Sequence, residues 1–372
     1  MHQLIVTKGI YFDGRKDNTI VQQKIRAKMY RRVRKEEHIS VIREPGGQYI
    51  GHVTPSNGTG SEIAKCILNY LKHVDFNMNE LEAIGCDGTA TNTGRKNGVI
   101  RNIEVKIQRP LQWFICLLHF NELPFRHLFE YLDGDTTGPA SFCGEIGKQL
   151  PGCEKLPVVH FEAIESEDII ITKTDLSKDQ QYLLDIITAI QTGHCTPDLA
   201  VKDPGPLSHS RWLTCANRIL RLYISQLSPT NELKILASYI VKTYAPVWFD
   251  VKRYHSVKYG PKHIFKVVKT TRHFPDNIKK VIDPVIQRNA FFCHPENMLL
   301  AMIVDERRHI RELGYKKILE ARNQQLNRKY VRTFTPPSIN FVATDYSELI
   351  DWTKCELSPP PIMESIKRED IS

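Results

Sequence analysis

The fold is constrained most by one stretch of the chain, Leu81-Glu82-Ala83-Ile84-Gly85-Cys86-Asp87-Gly88-Thr89-Ala90-Thr91-Asn92-Thr93-Gly94. A short apolar run ends on an aspartate, and small, hydroxylated and glycine residues follow it. This pattern predicts a buried strand whose carboxyl end presents Asp87 beside a tight turn. In open α/β sheets, ligands collect at such strand ends because side chains and helix N-termini converge there. Asp-Gly is also a common turn dipeptide, so a purely structural role for Asp87 is the alternative.

Strand-like and helix-like patterns alternate on both sides of this stretch. In chain order the patterns predict strands at 8–21, 28–43 and 48–54, a helix from an N-cap at Ser61 to Leu71, the Asp87 strand, a helix at 97–108, a strand at 111–119 and a helix at about 122–132. This order predicts an antiparallel meander that runs into a parallel sheet covered on both faces. It is the element order of the ribonuclease-H-like fold, and we assign residues 1–132 to such a core.

The periodicity changes after Asp133, where strand patterns become scarce. Amphipathic helical stretches at 177–191, 208–227 and 231–244 predict a mainly helical insertion over 133–290. The longest helical pattern runs from Pro295 to Arg322, with Pro295 suited to the first helical position, and residues 291–330 are expected to complete the core. Residues 331–372 are expected to form an extended or flexible tail. The predicted fold class is therefore α/β, a ribonuclease-H-like mixed sheet with a large all-helical insertion.

Composition narrows the class of partner and the compartment. The chain has 372 residues and a formal net charge of +9, which favours a polyanionic partner, with DNA the leading candidate. Nine cysteines without CxxC pairs favour reduced thiols in the nucleus, with the cytoplasm as the alternative. No apolar run approaches the roughly 20 residues that span a bilayer, and the first residues lack a signal-peptide pattern. We therefore expect no membrane partner.

Two aspartates lie at positions where they could form part of a metal site for phosphoryl transfer. Two-metal sites hold divalent ions about 4 Å apart with clustered carboxylates, and Mg²⁺ or Mn²⁺ prefers such oxygen ligands. Asp13 lies on the first strand and Asp87 ends the fourth, and these two strands are neighbours in the predicted topology. A hairpin turn at Asp13-Gly14 is the alternative, and Asp17 competes with Asp13 for the role.

A Cys116-x-x-His119 pair follows the predicted strand at 111–119. It could be half of a zinc site, but no second pair at metal-ligand spacing supports that interpretation. We expect Cys116 to pack in the core and His119 to reach the sheet edge. There His119 could contact a phosphate or orient a metal-bound water, and a structural histidine is the alternative.

Several of these motifs resemble landmarks of hAT-superfamily DNA transposases over roughly residues 5–325. They are Asp87 in Cys-Asp-Gly-Thr-Ala-Thr-Asn, the Cys116–His119 pair, and Arg211-Trp212 in Ser-His-Ser-Arg-Trp-Leu-Thr. The chain is also similar to transposon-derived proteins of arthropods and their associated viruses. The resemblance implies a ribonuclease-H-like catalytic core, interrupted by a helical insertion, that cuts and joins DNA phosphodiesters at an Asp-Asp-Glu site.

The same resemblance implies roles for individual residues. Asp13 and Asp87 would bind Mg²⁺ or Mn²⁺, Cys116 and His119 would shape the strand end, and Trp212, next to Arg211, would stack on an unpaired base. A core position is the alternative for Trp212.

The third acid of the site has three candidates. Glu296 shares a helix face with Leu299, Leu300 and Ile303, which would turn it toward the sheet, so we assign it the role. Glu306, further along the same predicted helix, and the more C-terminal Glu348 are the alternatives.

A dense basic run lies on the second strand and its approach, and Arg31, Arg32 and Arg34 are at its centre. Its members are Lys24, Arg26, Lys28, Arg31, Arg32, Arg34 and Lys35. We expect contact with a DNA backbone, because neutralising phosphates needs such a density of positive charge. A solvated strand face and a nuclear import signal are the alternatives.

Three functions follow from these patterns. The first is a transposase-like nuclease and strand transferase that uses two divalent metals. The second is a domesticated, non-catalytic factor that binds nucleic acid or protein and keeps the fold. We see no zinc-finger pattern ahead of the first strand, which favours the second function, whereas Asp13, Asp87 and a plausible glutamate favour the first. The third is an exonuclease of the same fold. The target sequence and the oligomeric state, monomer or homo-oligomer, stay open.

Overall fold

The amino-terminal third of the chain builds a five-stranded mixed sheet. Its strands are β1 (Gly9–Ile25), β2 (Lys28–Glu44), β3 (Gln48–Val53), β4 (Ala83–Cys86) and β5 (Gln112–Ile115). The strand order is β3-β2-β1-β4-β5, in which β3, β2 and β1 are antiparallel neighbours and β1, β4 and β5 run parallel. The prediction of a mixed α/β protein whose meander runs into a parallel sheet is confirmed.

The computed structural model describes residues 8–138, 141–207, 212–254, 257–323, 331, 333–355, 357 and 366–370. The chain divides into two units, Met1–Cys116 with Ala290–Ser372, and Leu117–Asn289. All nine cysteines are free thiols. Among the described residues, none of the helices has both the length and the apolar character that crossing a bilayer requires.

Helices follow the sheet strands and fill the second unit. In the first unit they are α1 (Gly60–His73), α2 (Ala90–Thr93), α3 (Val99–Ile107), α12 (Pro295–Ile303) and α13 (Arg308–Asn323). In the second they are α4 (Leu117–Asp133), α5 (Lys178–Thr192), α6 (Pro197–Val201), α7 (Trp212–Tyr223), α8 (Asn231–Tyr239), α9 (Ala245–Arg253), α10 (Gly260–Thr271) and α11 (Asp276–Asn289). A short hairpin, β6 (Thr136–Gly138) with β7 (Ser141–Phe142), follows α4, and a π-helical turn at Ile240–Tyr244 joins α8 to α9.

The core of the first unit lies between the sheet and helices α1 and α3. Alternate residues of β1 and β2, such as Ile10, Phe12 and Val41, point into this core because side chains alternate across a strand. Phe114 of β5 instead packs on a separate apolar cluster formed by α12 and α13. Helices therefore cover both faces of the sheet at β5.

One predicted strand proved too long. Residues 111–119 were expected to form a single strand, but β5 ends at Ile115 and α4 begins at Leu117. Leu117 and Phe120 are buried on α4. A continuous apolar run suits a buried strand and a buried helix equally, so the sequence pattern could not locate this change of element. Consequently His119 lies in the first turns of a helix and not at the end of a strand.

Two predicted helix boundaries also changed. Thr59 caps α1 in place of Ser61, and its hydroxyl accepts a hydrogen bond from the Glu62 backbone N–H. The predicted helix at 295–322 is two helices, α12 and α13. The chain turns between them at Asp305, which is buried and accepts a hydrogen bond from the Tyr346 hydroxyl at 2.8 Å.

The second unit begins at Leu117, because α4 packs with α11 and contributes Phe125, Leu128 and Phe129 to the core of the helical unit. That start lies upstream of the predicted insertion at 133–290. The segment 333–355, expected to be extended or flexible, contributes buried Tyr346, Leu349 and Ile350 to the first unit.

A buried carboxyl group joins α3 to β5. The Glu104 side chain is 2% exposed, and its Oε1 accepts hydrogen bonds from the Leu111 backbone N–H and the Trp113 indole, both at 2.9 Å. Its Oε2 is buried and has no hydrogen-bond partner among the described residues. Burial raises the pKa of Glu104 to about 7 against the two hydrogen bonds that lower it. The neutral acid is therefore the form that the fold favours.

We predict that Glu104 makes the fold less stable as the pH rises. The unfolded chain loses this proton near pH 4.5 and the folded chain near pH 7, so stability falls between those values. The loss is about 3.5 kcal/mol, because the two pKa values differ by roughly 2.5 and a difference of one corresponds to about 1.4 kcal/mol. Glu104→Gln keeps an acceptor oxygen for both donors and should remove this loss in urea unfolding at acidic and at neutral pH. Parallel stability–pH curves for the two proteins would contradict the prediction.

Candidate functional site

Asp13 and Asp87 occupy equivalent positions on neighbouring strands. The last parallel pair between β1 and β4 is Tyr11 with Gly85, and each aspartate lies two residues further along its own strand. Asp87 directly follows β4, whereas β1 continues past Asp13 in its pairing with β2. The sheet therefore presents both carboxylates just beyond the carboxyl end of β4, as the sequence indicated.

Asp87 also organises the turn that follows β4. Its Oδ1 accepts three hydrogen bonds, from the Thr89 backbone N–H at 3.1 Å, the Thr89 hydroxyl at 2.7 Å and the Asn92 amide at 2.7 Å. Its Oδ2 has no hydrogen-bond partner within the described part of the chain. The turn role considered from the sequence is therefore present, and one carboxylate oxygen is left over for a ligand.

Tyr11 fills the space beside these carboxylates. A Cβ atom at Gly85 would lie 2.3 Å from the Tyr11 ring, so only glycine lets the ring cover β4. Burial is the main cause that raises the pKa of Tyr11, and the neighbouring Cys116 and Cys86 thiols add to the increase. Burial likewise raises the pKa of Cys86, and Asp87, Cys116 and Asp13 add to that increase. Cys86 is therefore packed among these groups as a neutral thiol.

The third acid does not join the two aspartates. Glu296 is buried at the start of α12, where its carboxylate contacts His294, whose pKa burial lowers to about 3. The next residue, Asn297, donates a hydrogen bond to the Trp113 carbonyl near the amino end of β5, whereas Asp87 follows the carboxyl end of the parallel strand β4. Glu296 therefore lies toward the opposite end of the sheet.

The two alternative acids are exposed. Glu306 lies in the connection between α12 and α13, and Glu348 accepts hydrogen bonds from Thr344. Among the described residues no group of three His, Cys, Asp or Glu side chains is arranged to hold a metal ion. Asp13 and Asp87 alone supply too few oxygen ligands for a two-metal centre.

The basic run lies on a hairpin that extends beyond the sheet. Strands β1 and β2 pair without interruption as far as Ile25 opposite Lys28, but β4 pairs only up to Tyr11 and β3 only up to Ile39. Residues 15–25 and 28–38 therefore form a two-stranded ribbon with no further strand beside it in the described chain. Eleven residues at about 3.4 Å each give it a length of about 37 Å. We call residues 18–35 the hairpin tip.

The hairpin tip carries most of the net charge of the chain. It contains seven Lys and Arg residues and no Asp or Glu, against a formal net charge of +9 for the whole chain. Arg31, Arg32 and Arg34 are all exposed. Large apolar side chains are exposed between them, including Ile20 at 70% and Val33 at 67%. A free-standing ribbon that buries no apolar face is marginally stable by itself, so this element is suited to binding a partner.

The remaining predicted residues lie in the second unit. His119 is half-buried on α4. Trp212 is 3% exposed and packs edge-on against Phe125 and Phe129, with ring centroids 5.2 and 5.8 Å apart. Its ring is a core element of the helical unit, and its stacking on a base stays a prediction. Arg211 lies outside the described residues.

Sequence reasoning missed two features of the site. The Tyr11 ring over Gly85 could have been suspected, because a glycine within a strand often marks a close approach of another group. The free-standing hairpin also had a signal, since the predicted strands at 8–21 and 28–43 are 14 and 16 residues long, well above the usual strand length of about 5–6. Neither strand has an alternating buried face beyond Phe12 and Ile39.

Comparisons of the chain with models of protein families, with curated proteins and with solved structures find no match. The two aspartates and the hairpin are therefore the features of the molecule from which a function can be inferred.

We predict that Asp87 stabilises the first unit through its turn, independently of any metal. Asp87→Ala removes the acceptor of three hydrogen bonds and should cost about 1–2 kcal/mol in urea unfolding. Asp87→Asn keeps an acceptor oxygen and should cost less than about 0.5 kcal/mol. Adding Mg²⁺ should not raise the unfolding midpoint of the wild-type protein. If Mg²⁺ raises the unfolding midpoint of the wild-type protein but not that of Asp87→Asn, the Asp87 carboxylate binds the metal.

Proposed function

We propose that this chain is a nucleic-acid-binding factor that keeps a ribonuclease-H-like, hAT-transposase-like core and binds DNA through the hairpin tip. The observation that carries the proposal is the concentration of seven positive charges and no negative charge on the hairpin tip, whose residues are all exposed or half-buried. Nucleic-acid affinity comes largely from neutralising phosphates, which needs such clustered charge.

The sheet supports the choice of fold. Its strand order, β3-β2-β1-β4-β5, agrees with the order expected for a ribonuclease-H-like core. Asp13 and Asp87 at equivalent positions of β1 and β4 agree with the first two acids of that core. The exposed hairpin then gives the chain a basic surface that can contact DNA.

A metal-dependent nuclease and strand transferase is the second candidate. The paired aspartates favour it, and the free Oδ2 of Asp87 could bind a cation. The separation of Glu296 from the aspartates speaks against it, because two metals need a shared set of carboxylates. We therefore place DNA binding ahead of DNA cleavage.

The binding proposal predicts a strong and localised salt dependence. The measurement is the slope of log affinity against log salt concentration for a DNA duplex. In the Arg31→Ala, Arg32→Ala, Arg34→Ala triple variant this slope should become shallower by about 2.7, because each lost phosphate contact removes about 0.9. The matched control removes three exposed lysines of the helical unit, Lys252→Ala, Lys269→Ala and Lys280→Ala. Equal changes of slope in both triple variants would mean that only the total charge matters.

Cleavage is tested separately. With Mg²⁺ or Mn²⁺ and a supercoiled plasmid, we expect no nicking above background by the wild-type protein. If metal-dependent nicking does occur, Asp13→Ala and Asp87→Ala should abolish it, and Glu296→Ala, Glu306→Ala and Glu348→Ala would identify the third acid. Nicking that is lost in both aspartate variants would establish the second candidate.

A further inference from the structure

We infer that the hairpin tip inserts into the major groove of double-stranded DNA. This inference rests on the proposed DNA binding and adds the form of the ligand and the site on it. The tip is a two-stranded antiparallel ribbon closed by a two-residue connection at Arg26 and Ala27, where Arg26 has a left-handed backbone with φ of 54°. The major groove of B-form DNA, about 12 Å wide, admits a two-stranded ribbon whose strands lie about 5 Å apart.

The length of the ribbon also fits a groove. Its free part spans about 37 Å, and the hairpin tip alone about 27 Å, from eight paired residues per strand at about 3.4 Å each. One helical turn of DNA is about 34–36 Å long. The groove winds around the axis and its path is longer than this rise, so the tip can lie in the groove over part of one turn while the base of the ribbon stays outside with the sheet.

Charge is distributed over both faces of the ribbon. Opposed residues of an antiparallel pair share a face, so alternation separates the hairpin tip into two sets. The Arg31 face contains Asn18, Ile20, Gln22, Lys24, Met29, Arg31, Val33 and Lys35. The Arg32 face contains Thr19, Val21, Gln23, Ile25, Lys28, Tyr30, Arg32 and Arg34. Each face carries three basic residues and three large apolar ones.

This distribution favours a partner that surrounds the ribbon. A flat acidic surface, such as a membrane or one face of a protein, would contact the basic residues of one face and leave the other three charges in solvent. A groove places phosphates along both of its walls and base edges at its floor. Gln22 and Arg31, opposed on one face, are side chains that read adenine and guanine edges, and the apolar residues can contact thymine methyl groups.

The same dimensions disfavour other nucleic acids. The major groove of A-form RNA is deep and narrow, and side chains cannot read it. Single strands are bound by stacking on exposed aromatic rings, and Tyr30 is the only aromatic residue in the hairpin tip. We therefore expect B-form DNA to be bound more tightly than an RNA duplex or a single strand of equal length.

The experiment compares ligands that have the same phosphates but different major grooves. The full chain is titrated into a fluorescent DNA duplex of about 30 base pairs, three helical turns. It is then titrated into the same duplex with glucosylated 5-hydroxymethylcytosines, whose sugars fill the major groove. We expect the affinity for the blocked duplex to be at least about tenfold weaker than for the open duplex, because base-edge contacts are lost while phosphate contacts remain. An RNA duplex and a single DNA strand complete the series.

A truncated hairpin serves as the protein control. Asp17 and Glu36 are directly opposed, so replacing residues 18–35 with Asn-Gly joins them through a two-residue turn of a favoured type. The replaced residues lie outside the buried core, so the thermal midpoint should stay within about 3 °C of the wild-type value. The truncated protein should bind both duplexes weakly and equally.

Each result has a definite meaning. A large difference between open and blocked duplexes that disappears on truncation supports groove insertion. Equal wild-type affinity for the two duplexes overturns it and leaves a phosphate-only mode of DNA binding. Tighter binding to the RNA duplex or the single strand overturns the choice of ligand. Failure to bind any of the four nucleic acids overturns the proposed function itself.

Discussion

The unequal pairing of β1 governs the first unit. β1 pairs with β2 over its full length of 17 residues but with β4 over only three, Gly9 to Tyr11. Where three strands lie side by side, Ile10 and Phe12 can be buried under helices. Where only two remain, neither face can be covered by the sheet's own helices, and the sequence changes from apolar to charged. The difference between the two pairing lengths of β1 therefore separates a part of the strand that is buried in the core from a part that extends as a free hairpin.

That difference in pairing length also decides where Asp13 and Asp87 lie. Both follow the point at which β4 ends, so neither carboxylate is forced into the core, and Asp87 can accept three hydrogen bonds from its own turn. These bonds hold the loop after β4 without any metal. Because Asp87 has this structural role, a protein without catalytic activity would also need an aspartate at this position. The presence of Asp87 by itself is therefore weak support for catalysis.

Much of this arrangement could be predicted from the sequence, and the failures have physical causes. Strand alternation and turn residues located β1 to β4, and the element order placed Asp13 beside Asp87. The passage from β5 into α4 was missed because the apolar run from Leu111 to Leu118 satisfies either element. The break at Asp305 was missed because its cause is tertiary, a buried carboxylate bonded to Tyr346 from a distant segment. Choosing among Glu296, Glu306 and Glu348 required knowing which end of the sheet α12 approaches, which helical periodicity does not encode.

The distribution of charge along the hairpin determines which of its ends attracts a polyanion. Asp13, Asp17, Glu36 and Glu37 lie toward the base of the ribbon, and Arg15 and Lys16 form ion pairs there with Asp17 and Glu37. From Asp17 to Lys24 the strand covers about 24 Å, and the Debye length at physiological ionic strength is about 8 Å. The acidic base therefore cannot neutralise the far end of the tip, and a phosphate backbone is attracted to the tip and repelled near the aspartates. A duplex bound in the proposed way would have its phosphates away from Asp13 and Asp87, which is the physical reason to separate the proposed DNA binding from cleavage at the strand ends.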